Sequence, residues 1–200
     1  MKLIGTLLFI LTFCIRADAA QFSLVKMDAI TFESHAHAIR KAIANDHAEP
    51  EHVPFYKDQS FLLKGEKGHR IGYFIPASFN SKSYGKNICR LYFFDLNNQF
   101  KYADLFANQN DGDEVVPNCV AIEAVAIQAV AADEVNYLVI LLHAFFNNYG
   151  HIGVVVNYKN GNIRYDKKLN DCIDTKGETR SIVSLKKKIL SCKNKPRNKR

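Results

Sequence analysis

A chain of 200 residues with a formal net charge of +7 is one domain's worth of sequence, long enough to bury a core without help from metal. The charge is unevenly placed: residues 186–200 hold eight basic groups and no acid, and residues 21–185 hold 17 basic against 19 acidic groups. A slightly acidic body excludes a broad basic surface for nucleic acid, and no apolar run beyond the start of the chain has the length of a membrane-spanning helix.

The first twenty residues read as an export signal. Met1 and Lys2 begin it, residues 3–15 are almost wholly apolar, and Ala17-Asp18-Ala19 places small residues where a signal peptidase reads them. Cleavage after Ala19 or Ala20 removes Cys14 and predicts a periplasmic or secreted protein. Lipidation on Cys14 is disfavoured because bulky Phe13 precedes it. Four cysteines then remain, Cys89, Cys119, Cys172 and Cys192, and an even number in an exported chain predicts two disulfides. Three pairings are possible; Cys89–Cys119 with Cys172–Cys192 is the more local set and is preferred.

In chain order, residues 34–45 place Ala38, Ile39, Ala42 and Ile43 on one stripe, which predicts a helix with Ser34 at its cap. Residues 46–54, with Pro50 and Pro54, predict an irregular connection. A duplication is then expected, at about 58–106 and 119–169. Ser78-Phe79-Asn80, Tyr84-Gly85, Asn97-Asn98 and Phe100-Lys101-Tyr102 in the first copy answer Phe145-Phe146-Asn147, Tyr149-Gly150, Asn160-Gly161 and Ile163-Arg164-Tyr165 in the second. Each copy reads as four antiparallel strands: 61–64, 71–75, 88–94 and 99–105, then 120–130, 135–146, 151–158 and 162–165. The Ala-rich segment 120–130 also suits a helix, and the duplication favours strand. Asn160-Gly161 between apolar runs is a strong hairpin signal, because a type I′ turn needs positive φ.

Residues 179–192 place Ile182, Val183, Leu185, Ile189 and Leu190 on a helical stripe, and residues 193–200 read as a basic disordered tail. The predicted fold is mainly β, an α+β arrangement of two tandem antiparallel four-stranded units, sandwich-like or propeller-blade-like, with an N-terminal and a C-terminal helix. Together residues 21–192 form one globular domain.

Three clusters carry possible chemistry. Gly150-His151-Ile152-Gly153-Val154-Val155-Val156, followed by Asn160-Gly161-Asn162-Ile163, resembles the histidine strand of the NlpC/P60 and CHAP cysteine peptidases, which cleave peptidoglycan. The resemblance implies a thiolate, Cys89 or Cys119, activated by His151. The surroundings depart from that pattern, since Cys89 lies inside a predicted strand, no helix follows Cys119, and the duplication sets Lys86 opposite His151. His35, His37, His47 and His52 mix with acids as zinc ligands do, but His35 and His37 are two apart on a helix and point in different directions. Asp111-Gly112-Asp113-Glu114 reads as a surface turn, because the other ligands of a calcium loop are missing. No metal and no cofactor is expected.

The loops containing Phe79, Tyr84, Phe146, Asn147, Asn148 and Tyr149, together with His143 and His151, mix aromatics, amides and imidazoles on a rigid β scaffold, as binding loops do. The expectation is therefore a non-enzymatic exported module that binds a protein partner in the cell envelope, in one version an immunity or inhibitor protein that neutralises a toxin or hydrolase. The alternatives are a Cys–His peptidoglycan amidase and an envelope-associated structural module whose basic tail touches an anionic membrane surface.

Overall fold

A computed structural model describes residues 22–45, 53–82, 85–105, 118–130, 135–145, 149–159 and 161–193. Two antiparallel sheets carry the fold. The first has five strands in chain order: β1 (Ser23–Lys26), β2 (Phe61–Lys64), β3 (Arg70–Ser81), β4 (Lys86–Asp95) and β5 (Phe100–Asp104). The second has four, also in chain order: β6 (Asn118–Val130), β7 (Val135–Phe145), β8 (Tyr149–Lys159) and β9 (Asn162–Tyr165). Helix α1 (Ala29–Ile43) precedes β2, while α2 (Lys167–Asp174) and α3 (Ile182–Lys193) follow β9.

Alternation along the strands sorts the side chains into layers. Phe74, Leu91, Phe93, Leu138, Ile140, Leu142, Val154 and Val156 meet between the sheets. The opposite face of the first sheet, through Ile75, Phe79, Tyr92 and Phe94, packs on Phe32, Ile39 and Ile43 of α1. The opposite face of the second, through Tyr137, Val139 and Val155, packs on Leu169 and Ile173 of α2 and Leu185 and Ile189 of α3. The order is helix, sheet, sheet, helices. Burial on both faces explains why residues 137–142 are apolar at every position instead of alternating.

The two cysteine pairs lock this stack. Cys89–Cys119 joins β4 to β6 across the sheets, with Cα atoms 5.6 Å apart, and Cys172–Cys192 joins α2 to α3 at 6.1 Å. They close separations of 30 and 20 residues, so loop-closure entropy assigns each about 3–4 kcal/mol.

Local differences from the sequence expectations have definite causes. Helix α1 begins five residues before Ser34, because the Asp28 carboxylate accepts a hydrogen bond from Thr31 N (2.9 Å) and caps the helix there. Its buried stripe is therefore Phe32, His35, Ala36, Ile39 and Ile43, and Ala42 is exposed. In α3 only Leu185 and Ile189 are buried, while Val183 and Leu190 face outward. Segment 118–130 is a strand. Strand β1 and helix α2 were outside the expected elements. Buried Asn170 fastens α2 to the sheet: it accepts from Val155 N and donates to Val155 O, both at 2.8 Å, where β9 offers β8 no partner.

The export signal, Pro50 in the connection, Asp111–Glu114, and residues 194–200 of the tail lie outside the described residues. Among the described residues no helix is long and apolar enough to cross a membrane.

Candidate functional site

The hairpins β3–β4 and β7–β8 meet at one end of the molecule. Asn80 pairs with Asn87, Asn87 N donates to Asn118 Oδ1 (3.1 Å), and Asn118 pairs with Phe145, which pairs in turn with Tyr149. The outward face of the second sheet at this end carries an unusual group of side chains.

Alternation puts His143 in line with Val139 and Tyr137, and His151 in line with Gly153 and Val155, so both imidazoles lie on the helix-facing side of the sheet. They are cross-strand partners, with ring centroids 5.6 Å apart and planes 20° from parallel. The pair escapes burial because α3 stops short of it. A Cβ on Gly153 would fall 2.7 Å from Leu185 Cδ1 and 2.9 Å from Thr179 Cγ2, so the helical cover presses directly on this glycine; His151, one outward position further, is 39% exposed.

Glu123 completes the group through a backbone irregularity. Between Cys119 and Ala121, and again between Ile122 and Ala124, β6 steps two residues where β7 steps one. Val120 and Glu123 are the extra residues, and such bulges re-aim side chains and bend the strand. Glu123 Oε2 thereby reaches His151 Nε2 at 3.1 Å. Glu178 also faces the cluster: its carboxyl is held below the usual range by the hydrogen bond from Arg180 (2.8 Å), with a smaller contribution from His151. Exposed Phe145 and Val120 add apolar area beside these polar groups.

The predicted site residues divide into three sets. His143 and His151 come together as described. Phe79 belongs to the core: it is 2% exposed beneath α1, with the Arg90 guanidinium 5.0 Å from its ring. Its neighbours Ile75 and Ala77 share its face, which makes it a strand residue and not a loop residue. The structure gives Tyr149 as a backbone partner of Phe145, and Tyr84, Phe146, Asn147 and Asn148 lie outside the described residues.

The Cys–His pairing does not assemble. Cys89 and Cys119 are buried between the sheets and bonded to each other, whereas His151 is on the opposite face of its sheet. Among the described residues the imidazole has no free thiol to activate. His35 and His37 also point apart, with His35 stacked on Phe94 and His37 exposed; His47 and His52 lie outside the described residues. Among the described residues no three histidine, cysteine or carboxylate side chains converge as metal ligands would.

Glu123 was missed because nothing in an Ala- and Val-rich strand marks where a bulge falls; a lone acid in such a run was the available hint. The cluster offers hydrogen bonding and aromatic contact on a surface next to the Cys89–Cys119 link. The chain matches no known protein family, and no curated protein or solved structure is similar to it.

Proposed function

We propose that the protein is a non-enzymatic binding module of an oxidising compartment, periplasmic or extracellular, that engages a protein partner through the hairpin end of its second sheet. The supporting observation is the combination at that end: half-exposed imidazoles at 143 and 151, a bulge-directed Glu123 and exposed Phe145, while both candidate nucleophilic sulfurs are bonded to each other on the inner side. Two disulfides suit an oxidising environment, where thiols are not kept reduced. The finer reading is an immunity or inhibitor protein that neutralises a cell-envelope toxin or hydrolase.

Photo-crosslinking tests this reading by position. A benzophenone side chain at Phe145 or Val120 should give one discrete protein adduct in cells, and the same group at exposed Lys41 on α1 should give none. His143→Ala with His151→Ala should abolish the adduct. An adduct that survives both substitutions, or appears equally from Lys41, contradicts the assignment of this surface.

A further inference from the structure

A second site lies at the far end of the first sheet, independent of the surface assigned above. An open groove of about 530 Å³ runs between the first two turns of α1 and the place where β3 starts and β4 turns into β5. Ligand sites are concave and largely apolar, with a few polar groups that fix orientation. Here Ile30 (85% exposed) and Leu96 (54%) form the apolar lips, and Ser34, His35, Arg70 and Asn98 supply the polar groups.

The inner wall is a stack of π faces. The Arg70 guanidinium sits 5.9 Å from the Tyr73 ring, Tyr73 is 4.9 Å from the His35 ring, and His35 stacks on Phe94 at 4.3 Å and 25°. His35 is only 5% exposed, and its Nε2 has no hydrogen-bond partner. Burial also pushes its pKa below 6.5, with the Asp28 charge opposing, so the ring forms part of the inner wall without adding charge. Arg70 is different: it lies at the exposed start of β3, and among the described residues no carboxylate pairs with it. A planar guanidinium with open donors matches a carboxylate in geometry as well as in charge.

We propose that this groove binds a small organic carboxylate with an apolar body. Arg70 takes the carboxylate, the Tyr73 and His35 rings form the inner wall, and Ile30 and Leu96 flank the apolar part.

The test is an NMR titration of the intact chain with 4-phenylbutyrate and, separately, with 4-phenylbutanol, which keeps the body and removes the charge. The acid should move the His35 ring signals and bind about tenfold more tightly than the alcohol, the loss expected for one charge-assisted pair. Arg70→Gln, a surface substitution that leaves the core intact, should weaken the acid about tenfold and leave the alcohol unchanged. His35→Phe, which keeps the stacked wall, should leave both affinities unchanged, and His143→Ala should weaken neither. Equal affinity for acid and alcohol, an unchanged affinity in Arg70→Gln, or a titration that leaves the His35 ring signals in place would each overturn the proposal.

Discussion

The same position in the two hairpins has opposite fates. Two registered pairs in from the turn end of β3–β4, Phe79 faces Ile88 on the outward side of the sheet; two pairs in from the turn end of β7–β8, His143 faces His151. Phe79 and Ile88 are 2% and 3% exposed, roofed by α1 and by Arg90, whose Nε bonds Asp104 Oδ1 at 2.5 Å and whose guanidinium lies 4.0 Å from the Tyr102 ring. That roof is dry enough to push the Tyr92 phenol up to about 12, with burial the largest cause. Over the second sheet the helical cover ends at Gly153, and the imidazoles beyond it meet solvent. One hairpin end is spent on stability, and the other is left polar and available for contact.

Alanine substitutions at these paired positions should separate the roles most strongly. Phe79→Ala removes a ring from a closed site and should cost about 3–5 kcal/mol in urea unfolding. Replacing Cys89 and Cys119 together with alanine should cost about 3–4 kcal/mol by the same measurement, because β4 and β6 lose their covalent link.

The next effect is one of pH and belongs to the first half of the molecule. Burial holds His35 below its ordinary value of 6.5, so the unfolded chain binds the proton more readily than the folded one. The stability that depends on neutral His35 is complete above about pH 6.5 and is lost as the pH falls from there toward the folded pKa. The urea midpoint should therefore fall between about pH 7.5 and about pH 5, and His35→Phe should flatten that fall. A slope unchanged in His35→Phe would move its origin elsewhere.

The smallest stability effect is expected at the open end. His143→Ala and His151→Ala should each change unfolding by under about 1 kcal/mol, since polar contacts at exposed positions contribute little, while the two together remove the crosslinked adduct. A cost in His143→Ala as large as that in Phe79→Ala would erase the distinction between the two ends.

What was legible in the chain follows from how local each signal is. The long apolar runs of β4, β7 and β8 and the turn at Gly161, whose φ is +74°, announced antiparallel sheets directly. Asn98 takes a φ of +61° in the equivalent turn of the first sheet, as an Asn-rich turn allows. Helix α2 was readable but overlooked: Asp166 accepts from Leu169 N as a cap, and Leu169 and Ile173 are spaced i, i+4 on its buried face. The candidate site was half legible. His143 and His151 stood out as imidazoles on apolar strands, but Glu123 reaches them only through a register shift, which depends on the pairing partner as much as on the strand itself. The exposure of the site was not legible either, because it depends on how far α3 extends over Gly153.

Disulfide mapping of the unreduced protein tests the central claim most directly. Peptide mapping should recover Cys89 linked to Cys119 and Cys172 linked to Cys192, with no free thiol at these four positions after unfolding and no cleavage of peptidoglycan. A free, reactive thiol at Cys89 or Cys119, together with peptidoglycan cleavage that disappears in His151→Ala, would contradict it.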